Sequence, residues 1–275
     1  MLLDPASVPR GYRLLSKDAT GSTNDDALAA AREGDPGRLW ITAAEQLKGR
    51  GRHGRQWSSP PGNLYASLLL IDPCEISKAP QLGFVAGLAL HEAASQAAGI
   101  GAPRLALKWP NDLLLDGAKV AGLLLEGHRI RTDGTIAIVI GFGVNIVSAP
   151  SGTPYPANTL RTVKQQLTRE IVFAALASSF ARIFSTWYEA RRRSPASDPF
   201  GAVRRLWLER AAGVGGEVAV RLPAGERRGR FEGLDRHGRL QLGTPAGLEL
   251  IDAGDLYFPN LLADAADMGV GGGRS

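Results

Sequence analysis

Cysteine is almost absent: Cys74 is the only one in 275 residues, which excludes an internal disulfide and any multi-cysteine zinc centre. Histidine is scarce too, and His53, His91, His128 and His237 are widely scattered along the chain, so no structural metal is expected. No uninterrupted apolar run approaches the ~20 residues of a membrane span. The opening MLLDPASVPR also lacks the basic-then-apolar order of a secretory leader, so the expected location is the cytoplasm, away from the membrane. Aromatic residues thin out after Gly213, where only Phe231, Tyr257 and Phe258 remain, too few for a nucleic-acid stacking platform. There is no internal repeat.

What is present is an ordinary globular composition, 44% hydrophobic, on a chain long enough for one large domain and a small one. The net charge of +5 permits an anionic ligand or a nucleic acid and selects neither. Cys74 sits in the loop IDPCEISKAP without an activating partner and reads as an inert thiol.

Periodicity and punctuation order the chain. TNDDALAAAREG, 23–34, has a polar cap, acids in its first turn and a glycine stop, and reads as a helix after a strand in YRLLSKDATGS. LWITAAEQ and LYASLLLI have the apolar, β-branched and aromatic mix of strands. QLGFVAGLALHEAASQAAG is an apolar helix ended by Gly99, and 105–130 holds two apolar runs around Asp116-Gly117, a strong hairpin signal. TIAIVIGFGVNI is a buried strand. A proline-rich loop, 148–158, follows, expected to lie clear of any site, and then helices over 168–190 and 200–212. After Gly213 the pattern changes to short strands broken by glycine-rich turns, as in a small β-barrel. The expected units are therefore 1–212, a β module at 213–260 and a disordered tail at 261–275.

KGRGRHGRQWSSPPGN, 48–63, carries Gly49, Gly51 and Gly54 in the spacing of a dinucleotide-binding turn. That turn needs a helix after it, and Pro60-Pro61 forbids one. What remains is a flexible loop whose exposed Arg50, Arg52 and Arg55 can wrap an anion with bidentate donors, while Trp57 stacks on a planar group or covers the site. An exposed basic turn fits the same residues. Lys108, ending an apolar run beside Trp109 and Pro110, is either a partly desolvated cation acting on an anion or a snorkelling strand-end lysine. Asn111 and Asp112 fit turn chemistry, and Lys119 is equally open between surface and ligand. Gly21-Ser22-Thr23-Asn24 is a helix N-cap that also offers donors and acceptors to a polar ligand. Gly141 and Gly143 allow close backbone approach, and Asn145 suits either a turn or an adenine edge.

Taken in order, GSTN, AEQLKGRGRHGRQW, KWPNDLLLDGAKVAGLLLEG and GFGVN, followed by a small β module, resemble the biotin protein ligase family over about 12–258. The resemblance implies an α+β fold, a mixed-sheet catalytic domain with flanking helices followed by an SH3-like β-barrel. It implies ATP-dependent adenylation of biotin to biotinyl-5'-AMP, with Mg²⁺ accompanying ATP. Transfer to a lysine of the biotin carboxyl carrier protein of acetyl-CoA carboxylase, and of other biotin-dependent carboxylases, would follow. It places biotin on Ser22, Thr23, Asn24, Gln46, Arg50, Gly51, Arg52 and Lys108, and the nucleotide on Arg52, Arg55, Trp57 and Asn145, with Lys108 and Arg52 nearest the chemistry. Some members carry an N-terminal DNA-binding domain. Here the motifs begin near Gly21, so a ligase without repressor function or DNA partner is expected. The competing readings are a lipoate ligase or octanoyltransferase, against which the GRGRHGR loop and KWPND argue, and a nucleic-acid-binding protein.

Overall fold

The computed structural model describes residues 2–153, 155–193, 198–252 and 254–257; the tail at 261–275 lies outside them. In chain order the first unit runs β1 (Arg13–Thr20), α1 (Thr23–Arg32), β2 (Leu39–Gln46), β3 (Leu64–Ile71) and α2 (Ala79–Ala98). It continues through β4 (Leu105–Lys108), β5 (Asp112–Leu115), β6 (Ala118–Arg129), β7 (Ile136–Val144), α3 (Arg169–Arg193) and α4 (Pro199–Leu208). A second set of strands follows: β8 (Glu217–Leu222), β9 (Gly225–Leu234), β10 (Leu240–Thr244), β11 (Gly247–Ile251) and β12 (Asp255–Tyr257).

The fold is α+β. Seven strands form one mixed sheet in the order β1-β2-β3-β7-β6-β5-β4, parallel only between β1 and β2. β3 and β7 lie at its centre because LYASLLLI and IAIVIGFGV are apolar on both faces. Alternation then sends each side chain to one of two covers. Trp40, Leu68, Leu70, Ile138 and Ile140 join the large core beneath α2 and α3. Leu39, Ile41, Leu69, Ala137 and Val139 face α1, which meets them with Ala27 and Ala31. By length and composition α3 could cross a membrane, yet it buries Phe173, Phe180 and Trp187, the pattern of a core helix.

The Asp116-Gly117 hairpin forms as the sequence indicates, both residues taking positive φ (50° and 78°) between β5 and β6. The first apolar run divides, however. Trp109-Pro110-Asn111 turns the chain so that Leu105–Lys108 and Asp112–Leu115 become separate antiparallel strands. Proline cannot extend the ladder, and Trp109 instead buries its ring and donates Nε1–H to Gly238 O at 3.3 Å.

The five C-terminal strands make a small antiparallel sheet, SH3-like, in the order β11-β10-β9-β8-β12. Phe231, Leu240 and Val220 share the core of the larger unit. Linker bonds Leu107 N–H to Arg210 O (2.7 Å) and Ala212 N–H to Leu107 O (2.7 Å) fasten the units at β4.

Trp40 has no exposed surface and packs edge-on against Phe173 and Phe180. Trp40→Ala is expected to cost about 3–5 kcal/mol in urea unfolding. His91, buried in α2 with Nε2 3.2 Å from Leu105 O, is held below its ordinary pKa of 6.5 chiefly by burial. The unfolded chain therefore takes up this proton first, and stability falls as pH drops below about 6.5. A His91→Gln variant should lose that part of the acid slope, measured as unfolding midpoint against pH.

Candidate functional site

Two rows of residues, each running across the sheet on the face that α1 covers, make the floor of a cleft. One row runs Lys108, Asp112, Gly122, Gly143, Tyr65 from β4 to β3. Its neighbour runs Leu124, Gly141, Ser67. α1 covers the adjoining row of Val139 and Leu69 but stops before these, because its N-terminus begins at Thr23. The glycines leave bare sheet, and other side chains lie on it. The Asn24 amide rests on Gly141, where any Cβ would collide with it. The Trp57 indole lies on Gly143, where a Cβ would fall 2.5 Å from Cε2.

The wall beside α1 is polar. Gln46 Oε1 accepts from Thr23 N–H at 2.9 Å, and Ser67 Oγ lies 2.6 Å from Asn24 Oδ1 and 2.7 Å from Thr23 Oγ1. Ser22 is the N-cap by position but makes no side-chain cap bond, so its hydroxyl is not spent on the helix.

The arginine loop closes over the cleft as a pinched turn, not as the start of a helix. Gly51 N–H donates to Arg55 O (2.7 Å) and Trp57 N–H to Gly49 O (2.9 Å), with His53 and Gly54 at positive φ. Arg50 pairs with Asp25 and lies 3.8 Å from Glu126. Arg52 is half-buried rather than an exposed loop side chain: its Nη1 donates to Asn111 Oδ1 (3.2 Å) and to Gly254 O (3.1 Å) in the C-terminal sheet.

Opposite the loop, Asp112 stands between two lysines, 2.6 Å from Lys119 and 3.8 Å from Lys108, all three largely buried. The Lys119 ammonium also lies 5.3 Å above the Trp57 ring and 5.2 Å above the Tyr155 ring. Trp57 Nε1–H is buried with no acceptor among the described residues. The cleft therefore joins a polar, uncharged end to a cationic end beside an aromatic plane. That arrangement suits a ligand with a polar ring, an anionic centre and a planar base.

Of the sequence candidates, Ser22, Thr23, Asn24, Gln46, Arg50, Gly51, Arg52, Arg55, Trp57 and Lys108 all line this cleft. Asn145 is not among its described lining residues; it is buried past the end of β7, its backbone bonded to Val120 and Leu160. The loop 148–158 does not stay clear of the site as expected: Lys119 N–H donates to Pro156 O and Tyr155 enters the lining. Asn111 and Asp112, which fit turn chemistry in the sequence, and Lys119, open there between surface and ligand, also line the cleft. Ser67 and Glu126 were missed. A serine inside the apolar run LYASLLLI was a usable signal; Glu126 at the far end of a strand gave none. Cys74 is buried and its thiol is pushed up to about 11 by that burial, which leaves it unreactive.

The sequence model of the Biotin/lipoate A/B protein ligase family matches residues 20–145, and that of the Biotin protein ligase C terminal domain matches 214–258. The chain is 40% identical to a biotin–[acetyl-CoA-carboxylase] ligase of Paracoccus denitrificans, across 87% of this chain and 98% of that protein. It is 30% identical to the bifunctional ligase/repressor BirA of Bacillus subtilis, across 90% of this chain and 74% of that one. A biotin protein ligase from Aquifex aeolicus, solved in complex with biotin and ATP, superposes with a TM-score of 0.72 at 27% identity, covering 89% of this chain and 97% of the other.

Gly143→Ala places a methyl against Trp57 and is expected to destabilise by about 1–3 kcal/mol through overpacking. The Trp57 indole resonance should shift in the same variant. Gly83→Ala, in α2 with open space around it, should be neutral or slightly stabilising. Equal behaviour of the two in thermal unfolding and NMR would contradict the close packing at Gly143.

Proposed function

The chain belongs to the biotin/lipoate A/B protein ligase family, and from that premise we propose how its cleft carries the reaction. It is a biotin–[acetyl-CoA-carboxylase] ligase that uses ATP. The carrying observation is the cleft's division into a neutral polar wall and a cationic end over one glycine floor. Biotin's ureido ring would sit against Ser22, Thr23, Asn24 and Gln46, with Arg50 and Gly51 closing over it. Its carboxylate would then lie toward Lys108, Lys119 and Arg52, with Arg55 and Trp57 toward the nucleotide. Asn145 is left a supporting role, holding the chain beyond β7 through its backbone bonds.

In the first step a carboxylate oxygen of biotin attacks the α-phosphorus of ATP, and pyrophosphate leaves with the bonding pair. Two like unit charges ~4 Å apart repel by roughly 4 kcal/mol at an effective dielectric near 20. Lys108, Lys119 and Arg52 offset this repulsion and align the attack. Asp112 holds both lysines in place until the anions arrive. In the second step an acceptor lysine amine attacks the acyl carbon and AMP departs, while the closed arginine loop keeps water away.

The described residues hold no cluster of acids able to cage a metal, and the cleft acids are already occupied by Lys, Arg or Asn partners. Mg²⁺ fits as an ion that enters on the ATP phosphates, where it would draw charge from the leaving pyrophosphate. We take 1–212 as the catalytic unit, 213–260 as the C-terminal module, and the acceptor as biotin carboxyl carrier protein of acetyl-CoA carboxylase, with other biotin-dependent carboxylases alongside it. The reaction is placed in the cytoplasm.

The test is biotin-dependent exchange of labelled pyrophosphate into ATP, run beside lipoate and octanoate. Exchange is expected with biotin alone, reduced at least about a hundredfold by Lys108→Ala or Lys119→Ala with a much smaller change in biotin affinity. Equal losses in exchange and affinity would reduce both lysines to binding groups. Arg52→Gly should stay folded but release biotinyl-5'-AMP faster; unchanged retention on gel filtration would remove the loop from this role.

A further inference from the structure

We propose that Glu126 is a positioning residue for the polar ring of the substrate: its carboxylate sets the direction of a hydrogen-bond chain running beneath the cleft through Asn24, Ser67 and Thr23. The inference rests on the reading above that the ureido ring sits against Thr23, Asn24 and Gln46.

Glu126 lies where β6 outruns β5, in register with Val139, and its side chain reaches the first turn of α1. Its Oε2 accepts from Asn24 Nδ2 at 2.6 Å. A carboxylate can only accept, so the Asn24 amide is held with nitrogen toward Glu126 and oxygen toward Ser67. Contact with Gly141 holds the plane of that amide but does not choose between its two ends. Glu126 makes that choice as the close acceptor of Nδ2, with Leu124 O a longer second acceptor of the same nitrogen at 3.5 Å.

The consequence passes along the chain. Ser67 is fully buried and has one proton to give, with Asn24 Oδ1 at 2.6 Å and Thr23 Oγ1 at 2.7 Å. Asn24 Oδ1 cannot donate, so the Ser67 proton goes there and Ser67 is left to accept from Thr23. At the far end Gln46 cannot turn either: its Oε1 takes the Thr23 backbone N–H, while its Nε2 donates to Ser59 Oγ at 3.0 Å. The Thr23 proton therefore points inward, to Ser67 or to Gln46 Oε1 at 3.0 Å. What Thr23 shows the cleft is a lone pair, matched to a ligand N–H such as that of a cyclic urea. Without the carboxylate only the long contact to Leu124 O holds the Asn24 nitrogen, and a reversed amide presents N–H to Ser67. Ser67 then turns its own proton to Thr23, which spends one Thr23 lone pair on Ser67 and leaves the Thr23 proton to Gln46 Oε1, so that less of the Thr23 oxygen is open to a ligand N–H.

The same carboxylate lies 3.8 Å from Arg50, so the group that sets the wall also touches the loop that closes over it.

The experiment measures KM for biotin, KM for ATP and kcat in pyrophosphate exchange for Glu126→Leu, Glu126→Gln and Thr23→Val, with thermal unfolding of each. Glu126→Leu is expected to raise KM for biotin about tenfold with KM for ATP and kcat within about twofold of the parent. Glu126→Gln keeps an acceptor for Asn24 and should recover most of that loss. Unchanged KM for biotin in Glu126→Leu, equal rises in both KM values with a lowered melting point, or no recovery by Gln would overturn the proposal. Thr23→Val separates the two readings. If it raises KM for biotin while Glu126→Leu does not, only the role of Glu126 fails; if Thr23→Val also changes nothing, the placement of biotin fails with it.

Discussion

The bare strip of sheet at Gly122, Gly141 and Gly143 is the constraint on which the rest of the site depends. A β-sheet face normally presents a side chain at every second residue, and on this face those positions would fill the space a ligand needs. By omitting the Cβ at adjoining positions on β6 and β7, the chain lets an indole and a carboxamide lie directly on the backbone. The same face is packed with Val139 and Leu69 one row away, so the recess has a rigid shoulder formed by α1. Rigidity here comes from the core, and the opening comes from three missing methyl groups.

Electrostatics is organised around that recess in a paired state. Lys108 and Lys119 share Asp112, and Arg50 is engaged by Asp25 and Glu126. Such pairing keeps several cations close together without mutual repulsion, and it leaves them ready to exchange partners when an anion of better geometry arrives. Arg52 extends the arrangement into the second unit. A loop near the start of the chain and a carbonyl near its end meet over the cleft, although 202 residues separate them. The small β unit therefore steadies Arg52 through a backbone carbonyl, while none of its described residues lines the cleft.

Much of this was legible before the structure. Helix and strand assignments held for the long periodic segments because a buried face repeats over many residues, as in the helix ended by Gly99 and the strand LYASLLLI. The Asp116-Gly117 turn was readable because few other dipeptides tolerate its backbone. Division of the run at Trp109-Pro110-Asn111 was not, since periodicity alone does not separate one strand from two short ones. The segment 148–158 misled for a related reason. Its proline-rich composition marks it as irregular, but says nothing of the backbone bonds to Lys119 that carry Tyr155 into the cleft.

By itself the sequence determined the residue chemistry: an arginine loop barred by Pro60-Pro61 from opening a helix, polar residues at a helix start, lysines at strand ends, and a single cysteine, which cannot close an internal disulfide. These are local properties, set by side-chain type and by the backbone each residue permits. Only the tertiary structure decided which of them share a surface. Strand register aligned Lys108, Asp112, Gly122 and Gly143 in one row, and α1 delivered Thr23 and Asn24 to its edge. Register also brought Glu126 within reach of Asn24, 102 residues away, while the turn after β7 withdrew Asn145 from the cleft lining. The physical reason is that register and strand order follow from how the whole core packs, so contacts between distant residues leave no mark on the local pattern of either one.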